Sequence, residues 1–409
     1  MLRGRRLGSH QRALRAQQRP PRPPEERPQK PPHEAHAPIL TREIPTARPA
    51  LSDADLAAVG EVMESRWLGL GKVTEAFENE LGDLLGGRHV VATNTGTTAM
   101  HLALEAMDIG RGDDVIVPSL TFVATAQAVA ASGARVVLAD VNRETLNVDV
   151  PALEAARTPN TKAVMPVHYR GLPVEIDPIV EWAKPHGIRV IEDAAHAFGS
   201  EYEDGTPVGG KGDATCFSFD PIKNITTGEG GAIAFEREED YDRAMKMRVL
   251  GIDSTAWSRL EAQRPWEYDV VDIGFRYHMP NFCAAIGLSQ LERFEGFREN
   301  KRKVLGSYQD ALRGHAQLVM PEMPVERCCP FLALVLVEER DRFMAHMREN
   351  DVGTGVHYQP LHTLSRFSDG GVELPVAAEL GERICSLPLL NDQTDAESER
   401  VLAALASWS

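Results

Sequence analysis

Residues 188–235 read IRVIEDAAHAFGSEYEDGTPVGGKGDATCFSFDPIKNITTGEGGAIAF, and three short apolar runs punctuate them: IRVIED, ATCFSF and GAIAF. Each is a few residues rich in Val, Ile, Ala and Phe, the pattern of a strand buried on both faces. Working outward toward the N-terminus, runs of the same kind recur: HVVATN at 89, DVIVP at 114, RVVLADV at 135 and KAVMPVHY at 162. Their spacing is mostly 22 to 27 residues, and several gaps hold a helix-length segment. In TTAMHLALEAMD, Ala99, Leu102, Ala103 and Ala106 share one face, and FVATAQAVAAS is a second such segment. Strand, helix, strand at this period predicts an α/β fold whose large domain holds a mostly parallel seven-stranded sheet. ATCFSF and GAIAF lie only about 16 residues apart, which suits a local strand pair rather than another crossover.

Toward the C-terminus the pattern changes beyond residue 280. NFCAAIGLSQLERFEGFRENKRKVLGSYQDALR reads as a helix, CCPFLALVLV as a strand, and residues near 340–350 as a further helix before GTGVHYQPLH. These predict a smaller C-terminal α/β domain over 281–409, beginning on a linking helix, beside a large domain over 43–280. Residues 43–85 read as an extended stretch packed across the large domain.

Composition bounds the function. The chain has 409 residues, of which 43% are hydrophobic, so wholesale disorder is excluded, and no apolar run reaches the roughly 18 residues of a membrane span. Sixty acidic against 44 basic side chains give a net charge of -16, which argues against a nucleic-acid surface. Residues 1–42 are a different material. They carry ten Lys/Arg against three Glu and are rich in Pro and Gln, so a disordered basic tail outside the fold is expected. The tail lacks the Ser content and apolar face of a transit peptide and the apolar core of a secretory signal. Five cysteines show no metal-ligand spacing, so no metal is expected, and reduced thiols in a cytoplasmic protein are. Adjacent Cys328 and Cys329 are expected on opposite faces of a strand.

In an open parallel sheet ligands bind beyond the carboxyl ends of the strands, which directs attention to 94–98, 118–122, 168–171, 193–196 and 218–223. Lys223 stands between a strand and a Gly-rich turn. An amine held among apolar neighbours loses basicity and becomes a nucleophile toward aldehydes. Asp193 ends a strand and precedes two alanines, so its carboxylate needs a cationic partner, such as a protonated pyridine nitrogen; a helix cap explains it equally well on its own. In TNTGTTAM the amides of a first helical turn and the Thr hydroxyls can surround a phosphate. Phe122 can stack on a flat ring or fill the core. Jointly, a phosphate turn, a stacking aromatic, a carboxylate and a lysine at successive strand ends are the parts that pyridoxal phosphate requires.

The chain resembles the sugar aminotransferases of the DegT/DnrJ/EryC1/StrS family, pyridoxal-phosphate enzymes of the type I aspartate aminotransferase fold. The resemblance runs from IPTARPALSDADLAAV through IEDAAHAFGSEY and CFSFDPIKNITTGEGGAI to GTGVHYQPLH and SLPLLNDQTD, leaving out only the tail. It implies that Lys223 is the internal-aldimine lysine and proton shuttle, and that Asp193 pairs with the pyridinium nitrogen. It further implies His196 against the cofactor ring or its phenolic oxygen, Phe122 stacked on the ring, and Gly96, Thr97, Thr98 and Ser218 around the phosphate. In this family a homodimer shares its active sites, and the loop before the AAIGL helix reaches the neighbouring phosphate. Here that loop is GFRYHMPN, with Arg276 or His278 as the candidate, where many relatives have GYNYRM. Asp220 stands where relatives often have His. Relatives that dehydrate sugars replace the lysine by histidine, so Lys223 favours amino transfer. The implied donor is L-glutamate and the implied acceptor a nucleotide-linked 4-keto-6-deoxysugar. LGIDSTAW and WEYDVVDIGFRYHMPN are similar to the members that aminate position four. Amination at position three, a cyclitol acceptor and sugar dehydration are the alternatives. A cofactor-binding regulator that contacts DNA is disfavoured, since the Pro-rich tail cannot form a helix-turn-helix.

Overall fold

A computed structural model describes residues 43–253, 266–368 and 372–408, so the basic tail and part of the LGIDSTAW stretch lie outside the described residues. All seven apolar runs form strands: β1 (His89–Thr93), β2 (Asp114–Pro118), β3 (Arg135–Ala139), β4 (Thr161–Val164), β5 (Arg189–Asp193), β6 (Ala214–Ser218) and β7 (Gly231–Phe235). They build one sheet in the order β1-β7-β6-β5-β4-β2-β3. The contacts from β3 through β6 are parallel, whereas β7 runs antiparallel to both β6 and β1. The short ATCFSF-to-GAIAF link is therefore a local pair, as its length requires.

Alternation along the strands feeds two cores. Val91, Val115, Val117, Ile191, Cys216 and Ile233 face one layer, and Val90, Ala92, Ile116, Val190, Phe217 and Ala232 the other. On the first face, helix α3 (Gly96–Ala106) buries Ala99, Leu102 and Ala103 completely. Removing an aliphatic side chain from such a site costs about 2–5 kcal/mol.

Residues 43–85 are not extended, contrary to the sequence reading. They form two helices, α1 (Asp53–Ser65) and α2 (Lys72–Leu84). The signals are local. The Ser52 amide donates to Asp55 Oδ2 at 2.7 Å, tying the first turn of α1, and Phe77 and Leu81, four apart, give α2 a fully buried stripe. Both helices pack on a 32-residue helix, Asn281–Leu312, with Arg293 Nη2 2.6 Å from Asp55 Oδ2.

Past that long helix, β8 (Ala333–Leu336) and β9 (Ile384–Leu387) form a separate antiparallel pair. Helices Arg340–Glu349, Pro375–Arg383 and Asp395–Ala406 accompany it. The expected strand CCPFLALVLV is thus only four residues long, and Cys328 and Cys329 do not sit on opposite faces of it. Pro330 has no N–H to give to a ladder. The segment is instead held by the Cys329 N–H on Ser200 Oγ at 2.8 Å and the Phe331 N–H on the Arg170 carbonyl at 2.9 Å. All five cysteines are buried and free. No described helix is long and apolar enough to cross a membrane.

Candidate active site

A cavity of about 370 Å³ opens beyond the carboxyl ends of β1, β5 and β6, and Gly96, Thr97, Phe122, Asp193, His196, Ser218 and Lys223 all line it. Seven nominated residues thus converge from four separate segments. A roomier groove of about 720 Å³ beside α2 and β1 holds none of the nominated side chains.

The phosphate-type turn is built by the cap of α3. Thr95 Oγ1 accepts the Thr98 N–H at 3.1 Å, and Thr98 Oγ1 donates to Asn94 Oδ1 at 2.7 Å. The Thr98 hydroxyl is therefore engaged within the cap. The amides of Gly96 and Thr97 remain at the helix end, where a helix has no internal acceptors for them. Gly96 is required sterically: a Cβ there would lie 2.7 Å from Ser218 Cβ, so only glycine brings the helix against β6.

Asp193 closes β5 and is 4% exposed. Its Oδ2 accepts the Thr125 hydroxyl at 2.7 Å and its Oδ1 the Ala195 N–H at 3.1 Å. Among the described residues no cationic side chain lies within ion-pair distance of it. The neighbouring Glu192 faces the other side of the strand, accepting from Tyr202 Oη at 2.6 Å and lying 2.9 Å from His168 Nε2. Since His168 Nδ1 accepts the Val174 N–H at 2.9 Å, the ring proton sits on Nε2 and points to Glu192, and His168 serves the network rather than the cavity.

The Lys223 Nζ lies 4.4 Å from the centre of the Phe331 ring. Burial lowers its pKa to about 8, against the opposing pull of Asp193 and Asp220. His196 stacks on the same Phe331 ring at 4.2 Å, its Nε2 is 3.0 Å from Tyr358 Oη, and its Nδ1 is buried without a partner. Burial first, then the nearby Lys223, drives this imidazole well toward its neutral form. Phe122 keeps half of its surface exposed, with its ring 5.2 Å from that of Tyr358.

Arg276 and His278 do not line this cavity. His278 bridges Thr93 beside the turn, while Arg276 bridges Val249 and is exposed. Sequence reasoning passed over Thr125, Phe331, His357 and Tyr358. The last two stood within the quoted GTGVHYQPLH, but nothing local says that this loop returns to the sheet.

The sequence pattern of the DegT/DnrJ/EryC1/StrS aminotransferase family matches residues 49–406. The chain belongs to that family. Among solved structures it is similar to the aminotransferase TlmJ from Streptoalloteichus hindustanus, with 34% identity, a TM-score of 0.83, and 90% of this chain and 100% of that one covered. The sugar aminotransferase CalS13 from Micromonospora echinospora gives 28%, 0.82, 89% and 100%. Spr1654 from Streptococcus pneumoniae, solved in its PMP-form, gives 27%, 0.82, 88% and 98%, and it has also been solved in a PLP-form. Membership makes the protein a pyridoxal-phosphate-dependent transaminase of fold type I. The cavity fits that cofactor on its own terms. It contains a buried carboxylate with only neutral donors, an unpartnered imidazole nitrogen, a lysine of reduced basicity and a helix end.

Proposed function

We propose that this aminotransferase moves the amino group of an amino acid, L-glutamate, onto the keto carbon of a nucleotide-linked keto-deoxysugar at position four. The observation that carries the reading is the meeting of the Lys223 amine, the Asp193 carboxylate and the first amides of α3 in one cavity of a chain from this family. Pyridoxal phosphate, when bound, supplies an aldehyde that captures amines and a ring that draws electrons from the adjoining carbon.

The chain's own residues divide the work. Asp193 holds a proton on the ring nitrogen, and Thr125 and the Ala195 amide fix the carboxylate for that task. Lys223 would hold the cofactor through Nζ until an incoming amine displaces it; its freed Nζ would then take the proton from the substrate carbon and deliver it to the cofactor carbon. A lysine with a pKa of about 8 is roughly one-tenth free base at pH 7, against under about one in a thousand for an ordinary lysine, which suits both roles. The amides of Gly96 and Thr97, with the Ser218 hydroxyl, bind the phosphate at a helix N-terminus. Thr98 supports them through the cap. Phe122 covers the ring, and neutral His196 meets the ring or its phenolic oxygen. A second copy of the chain completes each site through Arg276 or His278 of the GFRYHMPN loop, in a homodimer.

Purified protein incubated with L-glutamate and a panel of nucleotide-linked keto-sugars should yield a sugar that has gained an amino group, by mass. Lys223→Ala should remove both that product and the cofactor's absorption near the edge of the visible. Loss of water in place of amine gain, or an unchanged Lys223→Ala spectrum and rate, would overturn the reading.

A further inference from the structure

Beside the Lys223 cavity lies a second amine that the proposed reaction does not use. Lys301, on the helix Asn281–Leu312, is 2% exposed, and among the described residues no carboxylate lies within ion-pair distance of it. Its Nζ donates to Asn224 Oδ1 at 2.9 Å. Asn224 directly follows Lys223, and its side-chain amide donates to the carbonyls of Phe198 at 3.1 Å and Cys329 at 3.3 Å. Asn391 Nδ2 grips the Asn224 carbonyl at 3.1 Å. Lys301 and Lys223 also share one aromatic ring, their Nζ atoms lying 5.7 and 4.4 Å from the centre of Phe331. A buried amine without an anion is costly, so a purely structural need for a polar group here would be met more cheaply by a neutral side chain.

We propose that Lys301 is a positioning residue for the reactive amine: it pins Asn224, and with it the backbone of Lys223, and sets a second ionisable amine against the Phe331 ring that Lys223 faces. This rests on Lys223 being the lysine that carries the cofactor. Both amines are lowered to about 8, chiefly by burial, and the charge of Lys223 is a smaller part of the lowering at Lys301. Coupling of this kind is reciprocal. The other groups facing the pair are Asp193 and Asp220, which favour a charged Lys223, and Cys329, which favours a charged Lys301. Tyr358 also faces it, as do His196 and His357, both driven toward neutrality by burial and by Lys223. The two ring distances put the amines no more than about 10 Å apart, and a like charge at that limit, at an effective dielectric near 20, shifts a titration by about one pH unit.

The test labels full-length protein loaded with pyridoxamine phosphate, which leaves the Lys223 amine free. Competitive acetylation across the neutral to alkaline range, read on the Lys223 peptide by mass spectrometry, gives its titration midpoint. Lys301→Gln keeps a donor for Asn224 Oδ1 but removes the charge, so the midpoint should rise by about one unit. Lys301→Arg should hold it near the wild-type value. A midpoint for Lys301→Gln that matches wild type overturns the proposal. So does a wild-type Lys223 that titrates like an ordinary lysine, a result that needs no variant to fold. Borohydride trapping of pyridoxal phosphate on wild-type Lys223 separates the two levels. Without the adduct the parent reading falls, whereas an adduct with an unmoved midpoint removes only the role of Lys301.

Discussion

Gly96→Ala is the most direct probe of how the site is built. The added methyl carbon would stand 2.7 Å from Ser218 Cβ and 3.1 Å from its Cα and Oγ, while carbon pairs settle at about 3.5–4.0 Å. Something must move by close to 1 Å, and neither side can yield alone. The Thr95 cap fixes the start of α3, and Ser218 is paired with Gly231 in a strand flanked on both sides. Overpacking of this kind costs about 1–3 kcal/mol. The displaced elements are the two that are proposed to hold the phosphate, so the cost falls on cofactor affinity. At about 1.4 kcal/mol per decade, the dissociation constant for pyridoxamine phosphate should rise by roughly 5- to 150-fold, measured by equilibrium dialysis or fluorescence titration. Ser218→Gly removes the opposing carbon, so the double variant should bind better than the two single losses added together, a coupling that a thermodynamic cycle isolates. A Gly96→Ala protein that binds within twofold of wild type, or additive losses in the cycle, would refute the steric argument.

Two further outcomes follow from other parts of the molecule. If two copies share each site, mixing refolded Lys223→Ala protein with an Arg276→Ala, His278→Ala double variant should restore about a quarter of wild-type activity, because half of randomly paired dimers carry one intact site; no recovery from two inactive variants would mean that the loop serves its own subunit, and a fully active double variant would place it outside the chemistry. Glu78 Oε1 accepts the Ala92 N–H at 2.8 Å and pairs with Arg248, which is 2% exposed. Glu78→Ala leaves that guanidinium buried with the Ala92 carbonyl at 3.0 Å as its remaining partner among the described residues, and should cost about 3–5 kcal/mol by denaturant titration, a loss under 1 kcal/mol being the contrary result.

The sheet was legible because strands buried on both faces leave unbroken apolar runs, and every run in 89–235 became a strand. The helices in 43–85 were missed although Ser52 and Asp55 carried the start signal; α1 is short and leaves Leu56 and Met63 exposed, so its apolar pattern is weak. The misplacement of Cys328 and Cys329 came from weighing the apolar character of CCPF above the proline within it. In the site, residues at strand ends could be nominated because topology alone sends them to one edge. Phe331 and Tyr358 could not, for they arrive from beyond the long helix, and only the closure of distant segments sets His196 between them.

The position of β7 bears on how the chain comes into being. Its five residues separate β1 from the rest of the sheet, and β1 has no other strand beside it. A nascent chain that has emerged only as far as residue 220 can pack the apolar segment near residue 90 on α2 and α3, but that segment has no strand partner until GAIAF follows. The final ordering of the sheet waits on a short ribbon translated some 140 residues after the strand it completes, which makes the interval between those two segments the window in which aggregation threatens this protein most.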